Sequence, residues 1–206
     1  MKFLTDFADQ AVMLPLAAAI AITLLLLGWW RGAIGWAIAI PGTFLVILSL
    51  KIIFYACHAV MPDLDIHSPS GHTASAAVVY GGLVGLLGGR GRARGAAETM
   101  RRLMRHMLAI GAAAVALALV FGFSRVDLGV HTVPDVLVGG AVGVLGAMVF
   151  VLLAGQPPRG LRRWVLACVV VVVALLFHGR QLHAEEAIQR VAISTWWPFI
   201  SACHPH

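Results

Sequence analysis

Three short polar groupings interrupt an otherwise apolar chain and hold nearly every residue able to do chemistry. They are Lys51 with His58, then Ser70-Gly71-His72 after Pro69, then Ser124-Arg125 with His131 and Asp135. Lys51 and Arg125 are anion-holding types, and the planar fork of arginine matches phosphate oxygens. Ser70 is a strong helix N-cap, and the free amides at a helix start bind anions without side-chain charge. Gly71 allows a close backbone approach to a ligand. His131 and Asp135 are four residues apart, so on a helix beginning near His131 the carboxylate can accept the imidazole proton and fix the tautomer. A histidine oriented in this way can serve as a nucleophile. Each grouping also has a plain structural explanation. Lys51 could snorkel to an interface, Pro69 to His72 could be only a helix start, and Arg125 could pair with Asp127 or Asp135.

The elements that must position these residues are set by composition. Of 206 residues, 60% are hydrophobic and 12% charged, with a mean hydropathy of +0.91. A soluble domain of this size does not tolerate such a balance, which belongs in a bilayer. Apolar runs near 11–29, 33–57, 72–89, 107–123, 136–154 and 164–178 approach the length needed to cross about 30 Å of hydrocarbon. They predict an all-α, polytopic transmembrane helical bundle of about six spans. The chain is expected to be one membrane-embedded domain, 1–206, with a catalytic core near 33–154 and an interfacial tail over 179–206. That tail mixes Glu185, Glu186 and Arg190 with Leu182, Ile188, Trp196 and Trp197, a pattern suited to a helix lying at the membrane surface. Pro41 is expected to kink the second span, while Gly81-Gly82 and Gly139-Gly140 allow close helix contact.

The net charge of +6 does not point to nucleic acid, because the arginines cluster in Arg90–His106 and Gln156–Arg163 without interleaved aromatics. They read as topology signals that place both segments in the cytoplasm. The segments 58–71 and 124–135 and both termini then lie outside, so the reactive residues gather on the outer face. The expected location is a cell membrane, the bacterial inner membrane, with the site facing the periplasm or exterior. Met1 to Gln10, with Asp6 and Asp9, lacks the pattern of a cleaved leader. Three cysteines give neither a disulfide framework nor zinc spacing, although Cys57 and Cys203 are a candidate pair. Asp63, Asp65 and His67 read as solvated loop, and His178, His183, His204 and His206 as interfacial.

Ser124-Arg125, five residues, His131, three residues, Asp135 resembles the third signature of the type-2 phosphatidic acid phosphatase family. Pro69-Ser70-Gly71-His72 resembles its second. The family's first signature has a lysine, six residues, then arginine and proline; here Lys51 is followed at that spacing by His58 and Ala59. The resemblance covers about Lys51 to Asp135 and implies a membrane lipid phosphatase acting through a phosphohistidine on His131. It implies Asp135 as the partner of that histidine, His72 as general acid and base, and Lys51, Ser70, Gly71, Arg125 and His58 as holders of the phosphate oxygens. No metal or cofactor is implied. The expected partners are a lipid phosphate or diphosphate and the bilayer, with no nucleic acid. Two alternatives stand beside this reading: a lipid phosphotransferase with the same nucleophile, and an anion transporter or channel lined by Lys51, Arg125 and the histidines.

Overall fold

Long runs rich in Leu, Val, Ile and Ala favour helix where water is absent, because a helix satisfies its backbone groups internally. A computed structural model describes residues 1–57, 66–88, 95–158, 160–182, 184–192 and 194. It contains eight helices and no strand among them. In chain order these are α1 (Lys2–Asp6), α2 (Gln10–Leu26), α3 (Trp30–Cys57), α4 (Gly71–Leu87), α5 (Ala96–Asp127), α6 (Val133–Ala154), α7 (Arg163–Phe177) and α8 (Ala184–Val191). Four stretches are long and apolar enough to cross a membrane, namely Lys2–Leu26, Trp30–Tyr55, Ala96–Asp127 and Val133–Ala154; α4 and α7 are shorter apolar helices. The chain is an all-helical integral membrane protein, and α2 to α7 correspond to the six expected spans.

One boundary differs markedly. The fourth span, expected over 107–123, runs from Ala96 to Asp127, so the described part of the arginine-rich segment is helix and not loop. Ala97, Glu98, Met100, Arg101, Arg102 and Leu103 are good helix formers, and Arg102 Nε donates to Glu98 Oε1 at 3.0 Å one turn away. Pro41 is accommodated inside an uninterrupted α3.

Helix α4 is the centre of the bundle, packed against α5 and α6, while α3 and α5 also pack on α6 and α7 lies on α2. Small residues permit this. A Cβ on Gly139 would collide with the Ser70 carbonyl oxygen, and one on Gly143 with the Ala74 carbonyl. Without side chains there, the start of α4 rests directly on α6. Gly81 and Gly82 play the same part on α4, where an added Cβ would lie 2.8 Å from Ala114 Cβ and 2.8 Å from the Trp36 ring respectively.

The N-terminal segment folds over the end of the bundle where α4 and α6 begin. Thr5 Oγ1 and Ser124 Oγ are 3.0 Å apart, Tyr80 donates to the Phe7 carbonyl at 2.7 Å, and the His178 ring packs against Phe3 and Phe7. Between α1 and α2 the backbone is extended at Asp9, whose carboxylate caps α2 by accepting from Ala11 N at 2.8 Å. The end of α7 reaches the same face, so the N-terminal segment and the α7–α8 connection frame one end of the bundle.

Candidate active site

At that end the helix starts position the polar groups. Ser70 is fully buried; its Oγ accepts from Thr73 N at 3.4 Å and from Thr73 Oγ1 at 2.9 Å, capping α4 as its residue type predicts. Its own amide donates to the Asp135 carbonyl at 3.0 Å, which locks the α4 and α6 starts together. Gly71 opens α4, and a Cβ there would lie 3.6 Å from Lys51 Cε. His72 follows, with Nε2 at 3.4 Å from Asp9 Oδ2.

His131 does not stand on a helix. α6 begins at Val133 with Thr132 as N-cap, and Thr132 and Asp135 form a capping box in which Asp135 Oδ2 accepts from Thr132 N at 3.1 Å. The capping turn, not a helical face, brings Asp135 Oδ2 to 3.6 Å from His131 Nδ1. Asp135 is buried, and its Oδ1 accepts from the amides of His67 at 3.0 Å and Ser68 at 2.9 Å. One carboxylate therefore joins the loop before α4, the start of α6 and the imidazole.

Lys51, 2% exposed, does not snorkel outward. Its Nζ lies 2.7 Å from Ser68 Oγ and 2.5 and 2.7 Å from the two carboxylate oxygens of Glu185. Ser68 and Tyr55 also donate to Glu185 Oε1. Arg125 forms no ion pair with Asp127 or Asp135, and its buried Nε has no hydrogen-bond partner among the described residues. Lys51, Gly71, His72, Arg125 and Glu185 all line one cavity of about 680 Å³.

Burial and these cations together set the electrostatics of the site. Burial, then Lys51 and Arg125, push the His131 imidazole down to about 4, against the opposing pull of Glu185 and Asp135. Burial alone would raise the Glu185 carboxyl, but Lys51 together with the hydrogen bonds from Ser68 and Tyr55 prevails and holds it well below the usual carboxylate range. A neutral, oriented imidazole next to two cations and an amide-rich helix start is equipped to attack an anionic phosphorus centre.

Of the residues expected from the sequence, Lys51, Ser70, Gly71, His72, Arg125, His131 and Asp135 converge on this end. His58 lies outside the described residues, as do Asp63, Asp65, His183 and positions 195–206 with Trp196, Trp197 and Cys203; the Cys57 side chain does too. Four residues at the site were not anticipated: Asp9, Tyr55, Ser68 and Glu185. Asp9 carried a readable cap signal, an Asp before an apolar run, but nothing local connected it to His72. Helix α8 is amphipathic as expected, yet it sends Glu185 inward onto Lys51.

No solved structure matches the chain. A Klebsiella pneumoniae protein described as "Uncharacterized 22.5 kDa protein in cps region" is 26% identical, over 93% of this chain and 89% of its own length. The family described as "PAP2 superfamily" matches residues 52–159, over half of the chain and including His72, Arg125, His131 and Asp135. The chain belongs to the PAP2 superfamily, the type-2 phosphatidic acid phosphatases that its motifs resemble.

Proposed function

We propose that this protein is a membrane lipid phosphatase that hydrolyses a phosphomonoester or diphosphate on a lipid through a phosphohistidine. Membership of the family supports phosphatase-type activity, and the shape of the cavity carries the lipid reading. Its polar end is formed by Lys51, His72 and Arg125, and the rest descends between α2 and α3 along Leu14, Ala18, Ile40, Phe44 and Leu48. A phosphate head with an apolar chain matches this division, since apolar walls with a few convergent polar groups favour a ligand of the same pattern. The unpartnered Arg125 Nε supports an anion at the polar end, because an orphaned guanidinium nitrogen is costly unless a ligand satisfies it.

In this mechanism His131 attacks phosphorus through Nε2 while Nδ1 faces Asp135, which stabilises the charge developing on the ring. The N–P bond forms as the ester P–O bond breaks, and His72 gives its proton to the departing oxygen. Water then attacks the phosphohistidine, surrenders a proton to His72 and releases inorganic phosphate. Lys51, Arg125, Ser70, the Gly71 amide and His58 hold the equatorial oxygens, where charge is greatest. No step calls for a metal ion. By the arginine distribution the site faces the periplasm or exterior of a bacterial inner membrane.

The test is phosphate release in detergent from a panel of lipid phosphates and diphosphates and from a short-chain phosphate ester. The expected result is release dependent on His131 and favoured by an apolar chain. Transfer of phosphate to a second lipid without free phosphate, or no turnover of any lipid phosphate, would refute hydrolysis.

A further inference from the structure

The His131–Asp135 pair has an unexpected counterpart. Asp9, at the elbow between α1 and α2, is 5% exposed, and its two oxygens divide their work. Oδ1 accepts from Ala11 N at 2.8 Å and Leu182 N at 3.0 Å; Oδ2 faces His72 Nε2 at 3.4 Å. We propose that Asp9 is a positioning residue for His72: it holds the imidazole by Nε2 and leaves Nδ1 as the nitrogen that exchanges protons with the leaving group and with water. This rests on the general acid and base role proposed for His72.

Three observations support it. A buried carboxylate oxygen requires a donor, and the imidazole Nε2, 3.4 Å away, is the group that faces Oδ2. Capping does not need the charge, because serine and asparagine cap helices about as well as aspartate. The elbow is also anchored around the histidine: Ser75 Oγ donates to the Ala8 carbonyl at 3.2 Å, Tyr80 to the Phe7 carbonyl at 2.7 Å, and Thr5 meets Ser124. The segment carrying Asp9 is thus fixed to α4, the helix that carries His72, and to α5. A carboxylate that orients an imidazole fixes its tautomer and stabilises the cation formed when the ring takes a proton.

The experiment compares Asp9→Asn and Asp9→Ser, which keep the cap, with wild type, His72→Ala and the double variant Asp9→Asn/His72→Ala in detergent. Two synthetic substrates of equal chain length are used, one releasing an alkoxide and one a nitrophenolate. For the alkyl substrate kcat should fall about 10- to 100-fold with KM nearly unchanged, in keeping with weakened general acid catalysis. The first-turnover burst with the nitrophenyl substrate should be spared, since that leaving group needs no proton. The double variant should be no slower than His72→Ala, because the two residues act as a unit. Equal losses on both substrates, losses that multiply in the double variant, or wild-type kcat in both cap-preserving variants would overturn the positioning role. Should Asp9→Asn fail to fold, Asp9→Ser carries the same comparison. A fully active His72→Ala would instead overturn the acid and base assignment itself, and with it this proposal.

Discussion

In the proposed mechanism Lys51 holds a phosphate oxygen, and it cannot give the same hydrogens to Glu185, so substrate would displace a carboxylate tethered to its own chain. The perturbation is Glu185→Gln, which keeps the shape and removes the charge. Glu185 receives hydrogen bonds from Lys51, Ser68 and Tyr55, and a bond to a charged group contributes about 1.5–3 kcal/mol when buried. Its side chain is 46% exposed, and exposed ion pairs are worth only about 0–1 kcal/mol. We therefore take about 1–2 kcal/mol for the charge of the closed arrangement, equivalent to roughly 5- to 30-fold in an equilibrium. Apparent affinity is reduced by the fraction of molecules with the site open, so KM for a lipid phosphate, and Ki for inorganic phosphate, should fall by that factor. The chemistry uses other groups, and kcat should hold. Acid should mimic the variant only at extreme pH: the folded-state carboxyl is depressed, so the pair persists above the ordinary carboxylate range and is lost only as pH falls below it. Steady-state kinetics with phosphate inhibition checks the reasoning. An unchanged or higher KM would refute displacement, and a collapse of kcat at constant KM would place Glu185 in the chemistry.

His131→Ala should abolish phosphate release while chelators leave the wild type unaffected; appreciable residual turnover, or loss restored by a divalent ion, would contradict the phosphohistidine route. As the proposed nucleophile His131 must be neutral, and its depressed imidazole puts the acid limb of kcat/KM below 6.5, toward 4. Removing a neighbouring cation makes protonation easier, so in Lys51→Met that limb should move up in pH, which a pH-rate profile measures. Gly139→Ala drives a methyl into the Ser70 carbonyl and should cost about 1–3 kcal/mol of stability, whereas Gly42→Ala, with nothing within 4 Å, should be near neutral; thermal unfolding in detergent compares them.

The spans were legible because a bilayer forces long apolar runs, and the cap at Ser70 because local chemistry determines it. The spacing from Ser124 to Asp135 also identified the pair that the α6 capping turn assembles, although the pairing was expected on a helical face. What the sequence concealed was long-range. Asp9 meets His72 and Glu185 meets Lys51 through packing of the chain's two ends over the site, and no local periodicity encodes that. The arginines of α5 read as a loop because charge masked good helix propensity. The amphipathic pattern of α8 marked a surface helix without saying which surface it covers.

The capping box at α6 constrains how this protein can vary over evolutionary time. Asp135 answers three backbone amides besides facing His131, and all three are fixed donors. Asparagine would turn an NH2 toward one set of them, and glutamate would push the carboxylate a methylene too far into a buried space. Either change disturbs the loop before α4 together with His131. Selection at position 135 is therefore expected to tolerate neither substitution, even in a descendant that has abandoned catalysis but still needs the fold.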